Sequence, residues 1–536
     1  MSDFGPTSSR CLLLFILSSL IALGCSRQSA NPSTSSATTK TSSEGNKAEH
    51  TSARYPNILF ILTDDQRRDT ISAHGNKEIV TPNLDELAAR GVSFNQAAIM
   101  GAMNGAVCAP SRAMIMTGRS VFEIEPSGTQ IDVQHKTLPE SLLKHGYTTF
   151  HTGKWHNGKS AFARSFSMGK NIFFGGMSDH YEVPIQDFDK SGQYSSERAR
   201  TARRNHSTLL YSETAQDFLR SYQSEKPFFL SLAFQAPHDP RQIDASERHG
   251  YQSGSLSIGD SFLEQHPFDN GELDVRDEWT AGNPREPTEV KQHIAAYYEM
   301  ITQIDREIGK ILSTLEKTGK ADNTLIIFTS DNGLSLGRHG LMGKQSVYEH
   351  SVGVPLIFSG LNLPQGATTN YPVYLSDIYP TLFDLLGLKP NKSVTGTSFL
   401  QALSSPNESE LSDSLPVRVH AYKNFQRALV DWPYKLIAYN VGDEPRYQLF
   451  NLVEDPEETT DLFSAPASGE LERLKAQLIL RMQTELRVQS DKANLSQPQW
   501  ALPRIDSWVD YMRANEPEQL INLRNMAEQE RQQFEF

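Results

Sequence analysis

The sequence predicts an α/β fold with a large, mostly parallel central sheet flanked by helices, followed by a smaller C-terminal subdomain of antiparallel sheet plus helix. Three observations carry this. The apolar run at residues 56–63 is nearly continuous, as a strand buried on both faces requires, and residues 147–150, 227–234, 324–329 and 354–358 read as further strands. Segments with helical spacing lie between them, above all residues 288–315. After residue 415 the apolar runs become short, close together and separated by turns.

In chain order, residues 1–25 read as an export signal. Arg10 precedes an apolar run over residues 11–23, too short to span a bilayer comfortably, which ends at Gly24-Cys25. Ala22-Leu23-Gly24-Cys25 resembles a bacterial lipobox, whose cysteine is lipidated. The resemblance implies a lipid anchor at Cys25 and a periplasmic or cell-surface location, with simple secretion as the other reading. Residues 26–54, rich in Ser and Thr, lack the apolar content to fold and suit a disordered tether. The main domain is expected over residues 55–414 and the C-terminal subdomain over 415–536. Within the main domain, Thr81-Pro82-Asn83 opens a helix carrying Leu84, Leu87 and Ala88 at helical spacing, and Gly91 is expected as its C-cap.

The formal net charge of −13 does not suit a nucleic-acid binder. An acidic protein acting on an anion must instead gather positive charge locally. Of the three cysteines, Cys11 and Cys25 lie in or at the end of the targeting segment, so only Cys108 reaches the folded body. It has no partner there for a disulfide. Cys108 is therefore either an inert small hydrophobe or a reactive centre.

Ligands of open α/β sheets bind beyond the carboxyl ends of the strands. The first strand ends in Asp64-Asp65, the second leads to Lys154 and His156, the third to His238, and the fourth to Asp331-Asn332. Three carboxylates and an amide oxygen form a hard set that suits Ca²⁺ or Mg²⁺, with calcium favoured by its tolerance of an irregular shell. A divalent cation beside lysines and histidines is equipment for binding a tetrahedral oxyanion and polarising it, so a sulfate or phosphate ester is expected.

Ala106-Val107-Cys108-Ala109-Pro110-Ser111-Arg112, continuing to Met116-Thr117-Gly118-Arg119, resembles the sulfatase signature, Cys-x-Pro-x-Arg followed by Thr-Gly-Arg. Gly146-Tyr147 through Gly153-Lys154-Trp155-His156 is similar to the second signature of that family. The resemblance continues through Ala236-Pro237-His238, Ser330-Asp331-Asn332-Gly333 and Gly343-Lys344. The chain is thus identified as resembling the formylglycine-dependent type I sulfatases of the alkaline phosphatase superfamily, in an exported bacterial branch similar to choline, iduronate and polysaccharide sulfatases. An alkaline-phosphatase-like catalytic domain over residues 55–414 is what this resemblance implies.

It also implies roles. Cys108 would be oxidised after translation to 3-oxoalanine (formylglycine) by a formylglycine-generating maturation enzyme, and its hydrated aldehyde would be the nucleophile. One Ca²⁺ would be held by Asp64, Asp65, Asp331 and Asn332, with residue 108 completing the shell. Arg112 resembles the arginine that hydrogen-bonds the hydrated aldehyde, Lys154 and Lys344 the lysines that clamp sulfate oxygens. His238 is similar to the residue assisting the leaving alcohol, and His156 to the base that later breaks down the intermediate. The chemistry needs an aldehyde, because a geminal diol attacks sulfur with one hydroxyl and keeps the other for release of sulfate. A helix expected over residues 111–116, just after Cys108, offers its N-terminus to an anion. His339, in the loop before Lys344, is a further candidate for contacting substrate. The substrate implied is a sulfated carbohydrate. A phosphate or phosphonate monoester hydrolase and a non-catalytic sulfated-glycan-binding protein are the rival readings.

Beyond residue 415, short runs at 417–421, 427–430, 434–439 and 447–451 predict a small antiparallel sheet. Tyr447-Gln448-Leu449-Phe450-Asn451 with Asp455-Pro456 and Glu458 resembles the family's C-terminal signature. Residues 471–486 read as an amphipathic helix. The last fifty residues are a polar helical extension with two roles open: packing over the cleft, or mediating oligomers.

Overall fold

Side-chain alternation explains the unbroken apolar run at the start of the main domain. Strand β1 (Asn57–Thr63) sends Ile58, Phe60 and Leu62 into one hydrophobic core and Leu59 and Ile61 into another. Both faces are covered, so no position from Ile58 to Leu62 can be polar. The computed structural model describes residues 55–196, 199–202, 205–406, 415–441, 445–491 and 508–532. The expected export signal, lipid anchor at Cys25 and tether over 26–54 lie outside these residues.

After β1 come helix α1 (Pro82–Ala89), strands β2 (Gly91–Phe94) and β3 (Gly101–Ala102), and helix α2 (Cys108–Thr117). Strands β4 (Thr148–Lys154), β5 (Met168–Phe173), β6 (Val183–Phe188) and β7 (Arg200–Ala202) follow. Helix α3 (Ser207–Ser221) leads to strand β8 (Phe228–Ala233), and helix α4 (Pro287–Lys317) to strands β9 (Thr324–Ser330), β10 (Leu356–Ser359) and β11 (Ala367–Thr369). All of these strands but β3 form a ten-stranded sheet in the order β11-β2-β10-β9-β1-β8-β4-β5-β6-β7. Its centre, β9-β1-β8-β4-β5, is parallel throughout. Register aligns the carboxyl ends: Thr63 pairs with Ser330, and Ala233 with both Leu62 and Gly153. The residues following each strand therefore meet on one edge.

Helix α4 covers one face with Met300, Ile304, Ile308, Ile311 and Leu315 at three- and four-residue spacing. Each such buried side chain contributes about 1.5–3 kcal/mol of transfer free energy. Asp305 on the same helix accepts hydrogen bonds from the Asn83 and Leu84 amides, tying down the start of α1.

Four strands, β12 (Arg418–Tyr422), β13 (Gln426–Asp431), β14 (Tyr434–Tyr439) and β15 (Arg446–Asn451), make the expected antiparallel meander. The sheet has a fifth member, since β3 from the main domain pairs parallel to β12. Helix α5 (Gly469–Val488) packs Leu478, Met482 and Leu486 on Val419, Leu429 and Leu436. Helices α6 (Trp508–Asn515) and α7 (Pro517–Gln532) follow. Lys435 of β14 is fully buried between Glu349, at 3.0 Å, and Glu458, at 2.8 Å.

Two local expectations are corrected. Gly91 is not a helix C-cap: Arg90 ends α1, and Gly91 opens β2, where a Cβ would stand 2.0 Å from the Phe358 carbonyl oxygen. The glycine is there for close strand approach. The helix expected over 111–116 begins at Cys108 itself, because Pro110 falls in the first turn, where a proline needs no intrahelical donor.

Candidate active site

Strand β1 delivers Asp64 and Asp65 to the carboxyl edge of the sheet. Asp65 adopts a left-handed backbone, φ 68°, a conformation that aspartate tolerates better than most residues. Its backbone NH donates to Asp331 Oδ1 at 3.1 Å, and its carbonyl accepts from Tyr297 of α4 at 2.6 Å. This bend turns Asp65 back across the strand ends. Asp331 and Asn332 follow β9 directly and are fully buried.

Cys108, at the first turn of α2, sits inside this group. Its thiol donates to Asp64 Oδ1 at 3.2 Å and Asp65 Oδ1 at 3.5 Å, and it accepts from Lys344 Nζ at 3.0 Å. Burial, with Asp331 and Asp64, pushes the thiol well above its ordinary pKa despite Lys344 and Lys154. The sulfur is therefore held protonated. A thiolate nucleophile needs the opposite environment, with the pKa pulled down.

The three lysine and arginine candidates interleave with the carboxylates. Arg112, one turn beyond Cys108, donates Nε to Asp331 Oδ2 at 2.7 Å and Nη1 to the Lys154 carbonyl at 2.5 Å, with Nη2 3.5 Å from Asp64 Oδ2. Lys154, at the end of β4, is ion-paired with Asp64. Lys344 Nζ lies 2.6 and 2.7 Å from the Asp65 carboxylate oxygens. Three cations thus balance three carboxylates in a buried site.

The two histidines differ in environment. Burial, then Lys154, Arg112 and Lys344, hold His156 well below the ordinary imidazole range, so its ring is neutral. Its Nδ1 is buried without a hydrogen-bond partner. His238 is also pulled down by burial and by Lys344, but Asp65, Asp239 and Asp64 outweigh them and raise its pKa above the ordinary value. Its Nε2 lies 3.7 Å from Asp65 Oδ2, and its Nδ1 2.7 Å from Asp239 Oδ1. One ring is a base and the other holds a proton.

Asp64, Asp65, Cys108 and His238 each offer a ligand atom, all within 4.8 Å of one another, a group able to hold a metal ion. Two further observations fit a hard cation. Asn332 Oδ1 is buried and accepts no hydrogen bond, while its Nδ2 donates to Asp65 Oδ1 at 2.7 Å. Burial, then the adjacent Asp64, push the Asp331 carboxyl up despite Arg112 and both lysines, and a bound cation would favour its ionised form.

His339 is not brought to this cluster. Its ring stacks on Tyr348 with centroids 4.0 Å apart, its carbonyl accepts from His266 at 2.8 Å, and burial lowers its pKa to about 3. These contacts make it a packing residue of the loop before Lys344.

Sequence reasoning missed Asp239 and Arg276. Asp239 follows His238 directly and fixes its Nδ1; Arg276 in turn is ion-paired with the other Asp239 oxygen. Adjacency in His238-Asp239 was a usable signal, whereas nothing around Arg276 marks it. Asp277 was missed as well: it accepts from Gln345 Nε2 at 2.9 Å and is among the carboxylates that raise the pKa of Lys344.

Comparison with known proteins decides the family. A family model described as Sulfatase matches residues 56–388, more than half of the chain. The chain belongs to the sulfatase family. Residues 337–486 of this sulfatase match a second model, described as N-sulphoglucosamine sulphohydrolase, C-terminal. A relative named "Sulfatase" from Formosa agariphila is 30% identical over 465 residues, covering 79% of this chain and 86% of its own. An N-acetylglucosamine-6-O-sulfatase from Bacteroides thetaiotaomicron is 24% identical, covering 80% and 86%. A solved structure described as a complex with its substrate, D-glucosamine-2-N,6-O-disulfate, matches with a TM-score of 0.65 at 22% identity, covering 84% of this chain and all of that one. The fold is shared with these bacterial enzymes, and the sulfatase is a sulfuric ester hydrolase. Sulfatases generally use a formylglycine and a metal ion, and the buried group around Cys108 fits both.

Proposed function

We propose that this sulfatase removes sulfate from a sulfated carbohydrate, using a formylglycine made from Cys108 by a formylglycine-generating enzyme and one Ca²⁺ held by Asp64, Asp65, Asp331, Asn332 and residue 108. The observation that carries the reading is the setting of Cys108. Its sulfur is fully enclosed by Asp64, Asp65 and Lys344, and held protonated. Such a residue serves badly as a thiolate and well as a side chain to be replaced by an oxygen nucleophile. When bound, the cation and the formylglycine supply charge neutralisation and that nucleophile.

The protein's own groups supply the rest. With three carboxylates already matched by Arg112, Lys154 and Lys344, an added dication makes the pocket net positive and suited to a sulfate ester. Lys154 and Lys344 bind its oxygens as point charges. Protonated His238, oriented by Asp239, gives its proton to the departing alkoxide, and neutral His156 takes one in the return step. General acid–base catalysis of this kind typically contributes about 10²–10⁴-fold each.

Carbohydrate as substrate is supported by the names of relatives, the N-acetylglucosamine-6-O-sulfatase above among them, and by the disulfated glucosamine that is the substrate of the solved relative. Export and lipidation at Cys25 fit an enzyme meeting polysaccharides outside the cell, and labelling with radioactive palmitate in wild type but not Cys25→Ala tests the anchor. The function is tested by sulfate release, followed by ion chromatography, from sulfated mono- and oligosaccharides, aryl sulfates and phosphonate esters. Release from a sulfated sugar that Cys108→Ala abolishes supports the reading; turnover of phosphonate esters alone would replace it.

A further inference from the structure

Helix α7 lies beyond both family-model matches, which end at residues 388 and 486. It nevertheless reaches the groups behind His238. Glu530, 1% exposed, places Oε1 2.6 Å from Arg241 Nη1 and Oε2 3.4 Å from Arg276 Nη2. Arg276 is paired through Nη1 with Asp239, and Asp239 Oδ1 lies 2.7 Å from His238 Nδ1. The result is a continuous buried chain, Glu530–Arg276–Asp239–His238. The helix is anchored around it: Arg524 covers the Trp279 ring at 4.7 Å, Arg531 Nε lies 3.2 Å from Glu289, and Ala527 is fully buried.

We propose that the C-terminal helix is an active-site element, in which Glu530 is a positioning residue for the proton donor His238. Arg241 and Arg276 are both buried, and each needs a carboxylate. Burial, then Asp239, push the Glu530 carboxyl up to about 8, yet its oxygens satisfy Arg241 and share Arg276, so that Asp239 keeps one oxygen for His238. Without that carboxylate, both guanidinium groups converge on Asp239 and draw it from the imidazole. A displacement of well under 1 Å at a general acid is enough to slow proton transfer. Of the two roles open to the extension from sequence, this is packing at the cleft.

The proposal rests on His238 protonating the leaving oxygen, and the experiment exploits that. Formylglycine-loaded full-length wild type, Glu530→Gln and Glu530→Asp are compared on 4-nitrophenyl sulfate, whose phenolate needs little protonation to leave, and on 4-methoxyphenyl sulfate, whose phenolate needs more. The matching phosphate monoesters are run in parallel. Glu530→Gln keeps side-chain volume, and melting curves check its fold. The expected result is a fall in kcat of about tenfold or more on the methoxy ester with at most about a twofold change on the nitro ester, KM being unchanged, and partial recovery in Glu530→Asp. Equal losses on both esters would mean a merely structural role and overturn the proposal, as would no loss on either. Wild type that turns over only the phosphate esters would instead contradict the sulfate assignment, leaving the contrast between leaving groups readable on those esters.

Discussion

Arg112 Nε donates to Asp331 Oδ2 at 2.7 Å, joining the helix that starts at Cys108 to the end of a strand 219 residues later. The pair is almost wholly buried, with side chains 2% and 0% exposed. It locks the position of residue 108 to the carboxylate edge of the sheet. Arg112→Ala leaves Asp331 uncompensated and is expected to cost about 3–5 kcal/mol of stability, read by urea unfolding. Arg112→Lys keeps a charge but cannot donate to both Asp331 and the Lys154 carbonyl. Its expected signature is a smaller loss of stability with a fall in kcat of about a hundredfold or more.

The opposite shifts of the two histidines predict a bell-shaped pH profile. His156 must be neutral, and its depressed pKa places the acid limb below the ordinary imidazole value. His238 must be protonated, and its raised pKa places the alkaline limb above it. Asp239→Asn removes one of the three carboxylates that hold the His238 proton. Its alkaline limb should therefore move to lower pH in kcat/KM profiles, with the acid limb unmoved. An alkaline limb that stays in place would exclude His238 as the titrating acid.

Legibility in the sequence followed how local each signal was. The strand-end residues Asp64, Asp65, Lys154, His238, Asp331 and Asn332 could be read because each follows a buried apolar run, and parallel register then aligns the ends of those runs. Gly91 was misread because a C-cap and a close strand contact leave the same trace, a glycine after a helical pattern. His339 looked like a site residue from its loop, yet its ring is taken up by Tyr348. Arg276 and Glu530, 254 residues apart, meet only through tertiary packing, and neither lies in a recognisable motif.

Calcium is expected to stabilise the loaded site by mass action, about 2.7 kcal/mol at a hundred times the dissociation constant. Melting temperature should fall on treatment with EGTA and recover with CaCl₂. In Asp64→Asn the recovery should be lost or need far more calcium. Equal recovery in wild type and variant would show that calcium binds elsewhere.

Lys435 matters for stability and not for chemistry. Burial and Glu349 push Glu458 up to about 7 even with Lys435 in place. Lys435→Met takes the lysine charge from two buried carboxyls: the already raised Glu458 pKa rises further, and Glu349, which Lys435 and then Arg68 hold well below its ordinary value against burial, loses much of that depression. Ionising them costs stability as pH increases, so the variant should lose about 3–5 kcal/mol at neutral pH and distinctly less at mildly acidic pH. Denaturant unfolding at both values measures the difference, and a loss independent of pH would refute the assignment.

Everything at the site turns on residue 108 ceasing to be a cysteine. Full-length protein co-produced with a formylglycine-generating enzyme should yield a tryptic peptide 91–112 about 18 Da lighter than its cysteine form. That loss of mass, together with activity that tracks its extent, is the expected result. A peptide of unaltered mass from protein that still hydrolyses sulfate esters would contradict the account at its centre.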